Sequence, residues 1–157
     1  MTNDGFTLVL LGLLALTLVW IAVVDLRTLT ISNRVNLAIA LAAPLYWWSA
    51  GVAFWPDGGI RVGVAVAVFL LFAIAFYVGA MGGGDVKLAA ALALWFPPAA
   101  TLLLVVLTSL AGGVLTLIVM GTHRACKKEG RPEVPYGVAI AFGGLWLLAQ
   151  RFLNHFA

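Results

Sequence analysis

Two carboxylates stand out in this chain because of what surrounds them. Asp25 sits in "VVDLRTLTISN" and Asp85 in "AMGGGDVKLAA", each at the place where a long apolar run breaks. Two carboxyl groups brought within a few ångströms of one another resist double ionisation and tend to hold one proton between them. The ionised member can then take a proton from water while the protonated member polarises a carbonyl. That is aspartic peptidase chemistry, and it requires no metal, no cofactor and no nucleophilic Ser or Cys. Spacing along the sequence leaves open whether the two side chains meet, so the elements that carry them must decide it.

The other four acids have ordinary surroundings. Asp4 lies in the N-terminal tail, Asp57 in the turn "PDGG", and Glu129 and Glu133 among basic residues, all solvated or turn positions. Asp85 taken alone reads as the N-cap of a helix starting at Val86, where a carboxylate accepts from unpaired backbone N–H groups. Asp25 has no such role, because a carboxylate at a helix C-terminus meets the negative end of the macrodipole. An Asp at a bilayer centre costs about 2.5–3.5 kcal/mol, so such groups are rare unless they face a partner or a watery cavity.

The elements that position them are apolar. Of 157 residues, 64% are hydrophobic and 10% charged, and the mean hydropathy is +1.11, far from the composition of a soluble domain. Apolar runs cover Phe6 to Val24, Val35 to Ala50, Ile60 to Ala80, Val86 to Phe96, Ala99 to Met120 and Val138 to Phe152. Most approach the roughly 20 residues a helix needs to cross a bilayer. The expectation is an all-α membrane protein, a bundle of six transmembrane helices forming one domain over residues 1–157, without repeats or polar linkers. No Lys or Arg precedes the first run and no small-residue cleavage site follows it, so it reads as a retained helix rather than a signal peptide.

Seven of the nine basic residues (Arg27, Arg34, Lys87, Arg124, Lys127, Lys128 and Arg131) lie in or beside the connections after the first, third and fifth helices, and Arg61 and Arg151 lie on the other side. By the positive-inside rule those three connections are cytoplasmic and both termini face outward. Asp25 and Asp85 then share one depth on one side. The net charge of +3 is explained by membrane-flanking loops, so the lipid bilayer is the expected partner and nucleic acid is not. Cys126 is the sole cysteine and sits in a cytoplasmic loop, which argues against a disulfide. With no Cys pair and with His123 and His155 on opposite sides, no metal site is expected.

Gly82, Gly83 and Gly84 permit positive φ or the close approach of a neighbouring helix or peptide. The fourth apolar run has 11 residues before Pro97-Pro98, about 16 Å of helix at 1.5 Å per residue, which is too short for a bilayer core of roughly 30 Å. Either the proline turn lies inside the protein, or Asp85 sits below the membrane surface in a water-accessible site.

"DLRTLTISN" (Asp25 to Asn33) resembles the first aspartate motif of the type IV prepilin peptidase family, "GGGDVK" (Gly82 to Lys87) its second, the GxGD motif of intramembrane aspartyl proteases, and "PYGVAI" (Pro135 to Ile140) its third. The likeness extends over nearly the whole chain. It implies that Asp25 and Asp85 are the catalytic dyad, with Gly82 and Gly84 shaping the second motif. Pro135, Tyr136 and Gly137 would form a wall of the site. Lys87 and Arg27 either flank the membrane or touch substrate and tune the dyad, while Asn33 reads as the N-cap of the second helix. The connection after Asp25 is short and carries no Cys pair, so the chain resembles the small, peptidase-only branch associated with Flp-type pili, without methyltransferase activity. The implied substrates are prepilins or pseudopilins with a membrane-inserted apolar segment, cleaved after a glycine at the cytoplasmic face. Pilus assembly machinery is a possible partner and no cofactor is implied.

The main rival from another class is a small proton- or cation-coupled transporter using the same aspartates. No acid near the middle of any run continues such a path. An inactive scaffold with the same fold and an archaeal preflagellin peptidase are further readings.

The charge distribution generates a topology test. Cys126 in sealed cells is expected to resist a membrane-impermeant thiol reagent and to react once the membrane is opened; ready labelling from outside overturns the orientation.

Overall fold

In the computed structural model, residues 4–126 and 133–156 are described. Lys127, Lys128, Glu129 and Arg131 lie outside the described residues, as does the side chain of His155. Six α-helices follow one another: α1 (Asp4–Thr28), α2 (Asn33–Ser49), α3 (Gly59–Tyr77), α4 (Gly83–Ala93), α5 (Pro98–Ala125) and α6 (Tyr136–Phe156). They alternate in direction, so one end of the bundle collects the C-termini of α1, α3 and α5 with the N-termini of α2, α4 and α6.

Among the described residues, four segments are long and apolar enough to cross a membrane: Asp4–Thr28, Phe54–Tyr77, Pro98–Ala125 and Tyr136–Leu153. Their outer faces carry large exposed side chains such as Leu16, Trp20, Leu70, Ile74, Leu102 and Leu117, the surface that lipid solvates. The fold is thus that of a helical membrane protein, but α2 with 17 residues and α4 with 11 fall short of a span. α4 compensates by burial. It packs against α2, α3, α5 and α6, and Val86, Leu88, Ala89, Ala91, Leu92 and Ala93 are all buried. α1 packs on α2 and α6 but makes no backbone-level contact with α4. Small residues let α6 serve as the hub. A Cβ on Gly144 would come within 2.8 Å of Leu18 on α1 and 3.4 Å of Leu92 on α4, and one on Gly143 within 3.1 Å of Leu104 on α5. This is the small-residue packing by which membrane helices approach closely.

A buried short helix must find partners for its last carbonyls inside the protein. Trp47 Nε1 donates to Leu94 O (2.8 Å) and Arg61 Nη1 to Trp95 O (2.9 Å). Trp95 in turn donates its indole N–H to Ile39 O (3.0 Å) and stacks on Tyr46 at 5.0 Å between centroids. Arg61 is therefore no solvated flanking charge, as its position in the sequence implied. It is 8% exposed and places a cation at the negative end of the α4 dipole. Arg151 keeps an exposed position, its guanidinium 5.3 Å from the Tyr46 ring centre. The proline turn does not lie inside: Trp95 and Phe96 are buried, but Pro97 and Pro98 are exposed.

Arg61→Met, which keeps the length and removes the donor, is expected to destabilise the protein by about 2 kcal/mol, the worth of a buried hydrogen bond to a charged group. Arg151→Ala at its exposed cation–π contact should cost under about 1 kcal/mol. Melting curves of both variants in detergent check this; equal curves would return Arg61 to a flanking role.

Candidate active site

α1 runs three residues past Asp25, so this carboxylate occupies the last turn of the helix. It is 2% exposed. What offsets the unfavourable end of its own helix is the start of another. Val138 N donates to Asp25 Oδ2 (3.3 Å) while also facing Pro135 O (3.2 Å), and the Gly137 amide lies on the same carboxylate. The Asp25 carboxylate thus lies against the first turn of α6, where backbone N–H groups and the dipole favour negative charge. Gly137 makes this approach possible, since a Cβ there would fall 2.8 Å from Asp25 Cγ and Oδ2.

Asp85 lies at the N-terminus of α4, but not as the N-cap. The helix begins at Gly83, Gly82 is the cap and Asp85 is the third residue, 7% exposed, with Oδ2 accepting from Gly82 N (3.1 Å). Its other oxygen, Oδ1, is buried with no hydrogen-bond partner among the described residues. Buried polar atoms are rarely left so. Asp25 and Asp85 act on one another electrostatically and line one open cavity of about 420 Å³. Gly82 and Tyr136 line it too, together with Thr28, Leu29, Thr30, Ala80, Met81, Glu133 and Val134.

The glycines serve close approach. Gly82 has φ −76°, and neither Gly83 nor Gly84 is in the left-handed region. A Cβ on Gly82 would meet Asp85 Oδ2 at 2.8 Å, and one on Gly84 would meet Ile31 Cβ and Ile31 O at 3.1 Å. Ile31 also reaches Gly137, whose Cβ would lie 2.7 Å from Ile31 Cδ1. One side chain from the α1–α2 connection therefore fits between Gly84, next to Asp85 in the chain, and Gly137, which abuts Asp25 from α6. Sequence reasoning passed over Ile31; the signal was its place in the first motif, two residues before α2.

α2 ties the same region together. Asn36 is 4% exposed and its Nδ2 donates to Gly84 O (2.8 Å), and Lys87 Nζ donates to Asn33 Oδ1 (2.8 Å). Asn33 is thus a partner of Lys87, and the N-cap of α2 is Ser32, whose side chain accepts from Arg34 N (3.3 Å). Lys87 and Arg27 are both exposed and neither lines the cavity. Pro135 precedes α6 and orients its first turn. Tyr136 is fixed by a 2.9 Å hydrogen bond between its hydroxyl and Thr116 Oγ1, and its ring fills space that Gly112 leaves open. The α1–α2 turn holds one strained residue: Leu29 has φ 52°, a conformation costing an L-residue roughly 1–2 kcal/mol. Among the described residues, no group of three or more His, Cys, Asp or Glu is placed to hold a metal ion.

The description "Type IV leader peptidase family" belongs to the family model that matches residues 12–117, more than half of the chain and inclusive of both aspartates. The chain is also similar to the "Prepilin leader peptidase/N-methyltransferase" of Pectobacterium carotovorum subsp. carotovorum, with 30% identity over 154 residues, 96% of this chain and 52% of that protein. The chain thus spans about half the length of the curated relative it matches. No solved structure matches it.

Proposed function

The chain belongs to the type IV leader peptidase family, and we propose that it is an aspartic endopeptidase that removes the leader of Flp-like type IV prepilins and pseudopilins, using Asp25, Asp85 and water. One observation carries this reading: two carboxylates from different helices, each buried and each held by backbone amides, face a single open cavity. A structural pair would be matched with cations, because burying unpaired carboxylates is costly. Here the partners are N–H groups that hold orientation and leave Asp85 Oδ1 unpaired.

The mechanism follows from sharing one proton. The ionised carboxylate takes a proton from a water in the cavity, and that oxygen attacks the scissile carbonyl. The protonated carboxyl donates a hydrogen bond to the carbonyl oxygen as it gains negative charge. Collapse of the tetrahedral species expels the amine, which recovers a proton from the pair. Microscopic roles belong to the pair, not to either residue. Gly82 and Gly84 shape the Asp85 side and Pro135, Tyr136 and Gly137 the Asp25 side. Lys87 acts through Asn33 to hold α4 on α2, and Arg27 flanks the membrane or meets the substrate.

We place the protein in the inner membrane with the site at the cytoplasmic face, after a glycine of the leader, and with both termini outside. Arg27, Arg34 and Lys87 at the same end of the bundle support this. The methyltransferase activity in the relative's name is not carried over. A transporter is disfavoured because the two acids meet at one end, without a mid-helix acid among the described residues to continue a path.

Asp25→Asn and Asp85→Asn are each expected to abolish cleavage of a purified pilin precursor while leaving the protein folded, and EDTA to leave the wild type active. Near-normal turnover in either variant, or inactivation by chelator, overturns the dyad. The glycines give a graded test. Gly82→Ala leaves the backbone unstrained but places a methyl against Asp85 Oδ2, so cleavage should fall by roughly 100-fold, the effect of a displacement of about 1 Å. Gly83→Ala meets Phe76 only at ordinary contact distance, 3.4 Å, and should cleave as wild type does. The melting curve of Gly83→Ala should stay within about 0.5 kcal/mol of wild type, and that of Gly82→Ala should fall by no more than about 1 kcal/mol, the worth of its hydrogen bond to Asp85. Equal activity in the two variants would detach the Asp85 carboxylate from the reaction.

A further inference from the structure

The strained residue beside the pair has the wrong side chain for its backbone. Leu29 closes α1 with its amide on Asp25 O (3.0 Å) and takes the left-handed conformation. That position after a helix is normally glycine, and among the described residues Leu29 is the non-glycine residue that adopts positive φ. The leucine does not repay the strain by joining the core, since it is 41% exposed. It lines the cavity that holds Asp25 and Asp85. Thr28 and Thr30 line the same cavity, and Leu29 is the apolar side chain of the three. Thr28 Oγ1 donates to Val24 O (3.0 Å) and Thr30 Oγ1 to Thr28 Oγ1 (3.0 Å), which turns both hydroxyls to the chain itself. Backbone strain retained at a cavity edge points to use of the side chain.

We propose that Leu29 is a substrate-contacting, specificity-determining residue, its side chain forming an apolar wall of the cleft that seats an apolar side chain of the peptide next to the scissile bond. This rests on the peptidase reading above. Leu29 neither takes nor gives a proton. It sets which peptides lie across the pair long enough to react, and it follows Asp25 by four residues, so the seat and the carboxylate move as one unit.

The test uses the full chain in lipid nanodiscs with a prepilin precursor and a second precursor carrying Ser in place of the apolar residue after the cleaved bond. Leu29→Gly and Leu29→Asn both tolerate left-handed backbone. Both are expected to raise KM about tenfold, within the range for a missing apolar contact, to change kcat little, and to erase most of the preference for the apolar precursor. Their melting temperatures should equal or exceed wild type. Unchanged KM and preference overturn the proposal, with Leu29 then a lipid-facing side chain. Lowered melting temperatures in both variants overturn it as well, with Leu29 then a folding residue. Binding of a fluorescently labelled precursor is measured in parallel on wild type and on both variants. A wild type that binds the precursor without cleaving it defeats the peptidase reading, and the binding difference at Leu29 still decides this one.

Discussion

Everything in this fold depends on a helix that is too short. At 11 residues α4 cannot carry its own ends to both membrane surfaces, and lipid offers no hydrogen bonds to the groups left over. The protein supplies them. At the C-terminal end an indole takes the carbonyl of the C-cap residue Leu94 and a guanidinium that of Trp95 just beyond it; at the N-terminal end a carboxylate closes the first turn on Gly82. The surrounding helices must then lie close enough to bury α4, which is what the small residues of α6 permit. The dipole of α4 runs from an aspartate to an arginine, so the interior charge it carries is matched along its length.

The same constraint prepares the site. Asp85 is needed to finish a helix, yet only one of its oxygens is used for that. Asp25 is stabilised by the opening turn of α6 while only its Oδ2 receives the Val138 amide. Each carboxylate is thereby oriented by main-chain groups, and among the described residues neither forms an ion pair with a cation. Backbone amides hold a carboxylate in place without committing its charge to a fixed partner, which keeps the pair chemically available.

Much of this was legible in the sequence because the background is so apolar. In such a chain an unexplained acid is conspicuous: Asp25 could be singled out because it lacked an ordinary role, whereas Asp85 could pass as a helix cap and stood out only beside Asp25 and within its glycine motif. Helices were legible from the length of apolar runs, and the third motif drew attention to Gly137, the residue that lets α6 touch Asp25. What was not legible depended on contacts between helices. Arg61 reads as a loop charge until α4 is seen to end beside it. Asn33 and Ser32 are both acceptable caps by type, and local propensity does not say that Lys87 would claim Asn33. Ile31 reads as a generic apolar residue, since nothing in its neighbourhood reports that two glycines from distant helices close on it. Asn36 gave no signal in a helix otherwise dominated by apolar residues. Positive φ in the glycine run was a fair expectation, but the chain uses those positions for proximity instead.

The backbones of the helices that bear the two carboxylates do not approach one another closely. α1 and α4 are related through third parties: α6, α2 and the wedge of Ile31. The gap between the acids is therefore a derived dimension, like the opening of a calliper whose jaws are set by its pivot. Small rotations of α6 or α2 are transmitted to that gap while the cores around Leu18 and Leu92 stay packed. A molecule built this way can change the spacing of two acids by substitutions far from either of them, and drift at the supporting helices will register first in that spacing and only later as lost structure.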